Sequence, residues 1–153
     1  MSKAVLVMDN YELLKDKEIL DTEQKKEYLK EYGRVVRQME RSELIIKEMR
    51  LNRMMPVVVN DGMPHAHNNT DLSSYAAMLD KEERRYLKYR YRRIKKCKEI
   101  RDKIEQLTSE DEKDVLIYRY IKLMKWEDIC VKLEHSWQHI HRIHAKALRN
   151  FKM

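Results

Sequence analysis

Residues 27–49, EYLKEYGRVVRQMERSELIIKEM, carry the pattern that decides the fold. Tyr28, Tyr32, Val35, Met39, Ser42, Ile46 and Met49 recur at alternating spacings of four and three. That is the heptad seam of a helix burying one stripe, with Ser42 as its weak member. Asp21–Thr22 offers a helix cap upstream, and the helix is expected to stop before Pro56. Upstream, residues 1–20 read as an N-terminal segment that is partly disordered. "AVLVM" there suits a short strand, and "YELLKDKEIL" suits a helix.

Working outward, residues 56–70, PVVVNDGMPHAHNNT, hold both prolines, one of the two glycines and three asparagines. This is the one clear linker. Thr70 or Asp71 then caps a second long helix. Its apolar positions are Leu72, Tyr75 and Leu79, followed by Leu87, Tyr91, Ile94, Cys97, Ile100, Ile104 and Leu107. Two seam-bearing helices over 21–107 predict either an antiparallel hairpin or a coiled coil shared between chains. The second arrangement makes a homodimer through this region.

At 108–111, "TSED" breaks the pattern. Ser109 is a cap, and Glu112 three residues on has capping-box spacing. Three short amphipathic segments follow, about 110–121, 126–133 and 136–151. Each is too short to be stable alone, so 108–153 is expected to form one tri-helical core. The fold class is therefore all-α, two long helices followed by a C-terminal tri-helical helix-turn-helix domain. Composition agrees, because two glycines and two prolines in 153 residues are too few for the turns of a sheet.

The net charge of +7 points toward a polyanion. No apolar run approaches the ~20 residues of a spanning helix, and "AVLVM" is too short for a signal-peptide core. A cytoplasmic protein without a membrane partner is expected, and Cys97 and Cys130 belong to no motif. Nucleophile–base signatures, Gly-rich phosphate loops and carboxylate dyads are missing, so no enzyme and no cofactor is expected. His135 with His139, or His141 with His144, has helical metal-ligand spacing. Neither pair has a Cys or carboxylate at ligand spacing, and no metal site is expected there or at His65 and His67.

The stretch EKDVLIYRYIKLMKWEDICVKLEHSWQHIHRIHAKALRNF, residues 112–151, resembles region 4 of sigma-70-type factors. The likeness lies in an acidic start before "VLIYRY", in "WEDIC", in Ser136 at the last cap, and in Ile140, Ile143 and "AKAL" beyond it. The longer layout is similar to phage and prophage regulators of the RinA/ArpU kind. The sequence departs from region 4 at Leu123 and Glu134, where that family has glycine; a left-handed backbone would strain both. What the resemblance implies is a phage-derived, sequence-specific DNA-binding transcription regulator that reads the major groove with helix 136–151.

On that helix Ile140, Ile143, Ala147 and Phe151 fall inward, while Trp137, Gln138, His141, Arg142 and Ala145 fall outward. Arg142 suits guanine and Gln138 adenine. Ser136, His139, Lys146 and Lys125 complete the expected DNA-contacting set. In residues 84–98, nine of fifteen side chains are basic and none is acidic. Arg84, Arg85, Lys88, Arg92, Arg93, Lys95 and Lys96 are thus candidates for phosphate or for an acidic partner, beside the plainer reading of a solvated face. Double-stranded DNA is the expected partner, with RNA polymerase as a second. Two other functions fit the layout: a DNA-packaging subunit resembling a small terminase, and a polymerase-binding module that does not read DNA.

Overall fold

The computed structural model describes residues 3–54 and 69–153, with side chains placed over 15–52 and 72–153. Every regular element among them is helical. They are α1 (Lys3–Met54), α2 (Asn69–Ile104), α3 (Glu110–Leu116) with a π-helical turn (Ile117–Ile121), α4 (Trp126–Leu133) and α5 (Trp137–Asn150). The all-α class is what forms. Helix α1 takes in "AVLVM", so the strand alternative fails. Neither Gly nor Pro separates that run from the helical residues after it, and an established helix propagates cheaply. Most of the linker lies outside the described residues, as do His65 and His67; α2 already starts at Asn69. No helix among the described residues is long and apolar enough to cross a membrane.

The chain packs as two compact units. In the unit Arg34–Ile94, the end of α1 runs antiparallel to the start of α2. The Tyr75 hydroxyl donates to the Met49 carbonyl (3.1 Å) and Ser42 Oγ to Glu82 Oε2 (3.3 Å). Val35, Val36, Met39 and Ile46 are buried beneath these contacts. Ser42, the weak seam member, is only 2% exposed, because Glu82 answers its hydroxyl. The hairpin is therefore intramolecular. The chain's own α2 covers the α1 seam of this unit.

The α2 seam differs from expectation in this unit. Tyr75, Leu79, Glu82, Tyr86, Tyr89 and Arg93 are half-buried at steps of four and three. Leu87, Tyr91 and Ile94, expected to face inward, are exposed, as is Leu72. The helix carries two rows roughly a third of a turn apart, and the packed row is the one richer in tyrosine. Tyrosine and arginine bury their apolar bodies while keeping a polar end available, so that row suits a two-helix interface with little depth.

The other unit joins Met1–Gly33 to Lys95–Met153. Leu29, Ile100 and Ile104 are fully buried. Tyr28 donates to Glu99, and Lys96 bridges Glu31 (3.0 Å) and Glu99 (3.1 Å). Residues 108–153 belong to this unit together with the start of α1. The buried ring of Phe151 lies 6.1 Å from that of Tyr28. Lys25 Nζ donates to the Arg149 carbonyl at the end of α5 (3.4 Å), where a cation satisfies an orphan acceptor and the helix dipole. The tri-helical core itself is Val115 of α3, Ile129 of α4, and Ile140 and Ile143 of α5.

Candidate nucleic-acid interface

The acidic first turn of α3 (Glu110, Asp111, Glu112) suits its positive helix end. The capping box does not form: the Ser109 side chain makes no cap hydrogen bond. Glu112 turns inward instead. It is 2% exposed, accepts from Asn150 Nδ2 (2.9 Å) and pairs with Lys146 Nζ (3.2 Å). A buried carboxylate needs such partners, and α5 supplies both.

After the π-helical turn, Leu123 takes a left-handed φ of 56° and the chain enters α4. Arg119 braces this turn, donating to the Met124 carbonyl (2.8 Å) while its guanidinium lies 4.6 Å from the Trp126 ring centroid. α4 ends at Glu134, also left-handed (φ 54°, ψ 37°), and the His135 amide reaches back to the Cys130 carbonyl (3.1 Å). That is a Schellman-type closure, usually built on glycine. Both backbone sites where the resemblance called for glycine therefore keep the left-handed conformation, at the strain expected for side chains with a Cβ.

Ser136 caps α5 as expected, its Oγ accepting from the His139 amide (3.3 Å). The three residues 134–136 thus join two helices that share one core, and α5 presents its N-terminal turns outward. Trp137, Gln138 and Arg142 are exposed, as are Ser136 and, at the N-cap of α4, Lys125.

Other expected contact residues are less free. His141 is half-buried between Trp126 and Trp137, 4.7 Å from each ring centroid, and its Nε2 is shielded with no hydrogen-bond partner among the described residues. The His139 ring meets that of His135 edge-on at 4.7 Å. Lys146, though exposed, is held by Glu112. On its His141 and Ala145 flank, α5 borders a groove of about 570 Å³ whose far side carries Lys15, Glu18, Thr22, Glu23 and Lys26 of α1. On the first two turns of α5, Trp137, Gln138 and Arg142 are the expected contact side chains that stay exposed.

His144 went unnoticed as a core residue, although it lies four residues beyond Ile140 on the inward stripe. It is buried, and its Nε2 lies 3.0 Å from the Tyr120 hydroxyl. Burial, reinforced by the charges of Lys26, His141 and Arg119, lowers its pKa to about 4, so the ring is neutral at physiological pH. Burial likewise raises Tyr120 to about 12. Among the described residues, no three His, Cys, Asp or Glu side chains converge as a metal site.

The basic stretch divides. Lys96 turns inward onto Glu31 and Glu99, and Arg93 is half-buried. Arg84 pairs with Asp80 (3.0 Å) and Arg85 with Glu82 (2.7 Å). Lys88, Arg92 and Lys95 remain exposed, together with Arg90 and Lys98.

Over residues 78–152 the chain matches a family model described as a protein of unknown function, DUF1492. The matched stretch takes in most of α2 and all of α3, α4 and α5. No curated protein and no solved structure matches the chain.

Proposed function

We propose that this chain is a sequence-specific DNA-binding transcription regulator of the phage or prophage kind, without catalytic activity, that places α5 in the major groove. One observation carries the reading: a Ser136-capped α5 follows a three-residue turn and exposes Trp137, Gln138 and Arg142 on its first two turns. The N-terminal turns of a recognition helix are the part that reaches base edges. A guanidinium matches the paired acceptors of guanine, a carboxamide those of adenine, and an indole the thymine methyl. The net charge of +7 supplies the field that draws the chain to a duplex.

Selection from a random duplex library with the purified protein tests this. A recurrent site is expected, and Arg142→Ala should weaken that site by ~1–3 kcal/mol while relaxing one base position. An equal loss on random DNA would make Arg142 a phosphate contact. If no site is enriched and the protein nevertheless binds RNA polymerase, the sigma-like surface serves protein recognition alone.

A further inference from the structure

Within the Arg34–Ile94 unit, α2 carries a second apolar row that nothing among the described residues covers. Leu87, Tyr91 and Ile94 stand at i, i+4 and i+7, which stacks them along one face. They are 56, 69 and 55% exposed. Lys88, Arg90 and Arg92 surround them, all exposed and none with a carboxylate in reach among the described residues, whereas Arg84 and Arg85 are answered by Asp80 and Glu82. A single exposed leucine is ordinary on a protein surface. A continuous row is not, and Lys88 and Arg92, four apart, also repel each other. Both the apolar exposure and the repulsion cost stability until something covers the row.

We infer that this face of α2 docks an acidic amphipathic helix of a partner protein. The partner's apolar side chains pack along Leu87, Tyr91 and Ile94, and its carboxylates meet Lys88, Arg90 and Arg92. Ridge-into-groove packing lets a second helix follow a row of this period, and anchors at i, i+4 and i+7 are how helices are recognised. A DNA backbone satisfies the cations and leaves the leucine and isoleucine in water. A second copy of this chain sets the same cations against each other, which opposes association.

The full chain is titrated with a synthetic helical peptide bearing leucines at i, i+4, i+7 and i+11 and glutamates on the flanks. A scrambled isomer of the same composition and a random-sequence DNA duplex are the comparison probes. The amphipathic peptide should bind about tenfold more tightly than its isomer. The double variant Tyr91→Ser with Ile94→Ser, at exposed positions and checked for an unchanged melting curve, should lose about that factor. Replacing Lys88, Arg90 and Arg92 by alanine should weaken the peptide and flatten the salt dependence of what binding remains. Equal affinity for the isomer overturns the inference, because charge alone then explains binding. So does DNA that displaces the peptide while the apolar double variant keeps full peptide affinity, which makes the face a phosphate arm. Light scattering that shows a dimer dissociated by the same double variant overturns it too, in favour of a second copy.

Discussion

Replacing Glu134 by glycine should stabilise this protein, against the usual effect of adding a glycine. Glu134 holds φ 54° and ψ 37° at the end of α4, where the side chain is exposed and the backbone closes onto Cys130. A left-handed residue with a Cβ costs about 1–2 kcal/mol. Glycine removes that cost but gives up roughly 0.5–1 kcal/mol through the greater freedom of its unfolded chain. The balance favours Glu134→Gly by about 0.5–1 kcal/mol. For a chain of this size that raises the melting temperature by roughly 1–4 °C. Glu134→Asn, better tolerated in the left-handed region, should give part of the gain. Leu123→Gly is the internal control. Its φ of 56° is nearly the same, but Leu123 is 42% exposed, so the apolar burial lost offsets the strain relieved. Its melting temperature should hardly move. Thermal unfolding followed by circular dichroism measures all three. A lower melting temperature for Glu134→Gly would refute the reasoning, because glycine destabilises only where the backbone is not left-handed.

Further outcomes follow from the same unit. Ser136→Ala removes the side-chain acceptor for the His139 amide and should cost about 1 kcal/mol in denaturant unfolding, whereas Ser136→Asp should not. His144 has its folded pKa depressed to about 4 from an ordinary 6.5, so its contribution is fully present above pH 6.5 and is lost as pH falls toward 4. The loss sums to at most about 3 kcal/mol over that window, and stability curves for His144→Phe against the parent should show the slope shrinking there; an unchanged slope sinks the assignment. Glu112→Gln keeps the shape of the buried side chain and releases Lys146. If α5 meets DNA, affinity for random duplex should rise and the salt slope steepen by about 0.9; an unchanged slope would place Lys146 off the DNA.

Period and composition were enough to name the helices, but of the expected caps only Ser136 holds: α1 runs from Lys3 through Asp21–Thr22, and α2 already starts at Asn69. The four-three spacing from Tyr28 to Met49 named most of the buried stripe of α1; Leu29, Gly33 and Val36 beside it are buried too, and Tyr28 and Met49 at its ends are half-buried. Ser136 was legible as a cap, and Ile140, Ile143, Ala147 and Phe151 as the inward face of α5, because local backbone preference and burial agree at those positions. What stayed hidden depends on partners far away in the chain. α2 offers two rows, and only the face that α1 presents selects Tyr86 and Tyr89 over Leu87 and Tyr91. Glu112 has capping-box spacing, yet Asn150 and Lys146, more than thirty residues on, draw its carboxylate inward. His141 and His144 are three apart on one helix, yet one lies between two indoles and the other pairs with Tyr120. A short-range pattern tells which side chains prefer burial; which of two near-equal faces is buried, and what answers a polar group there, is decided by the opposing surface, whose desolvation and hydrogen bonds enter only once the chain has folded back on itself.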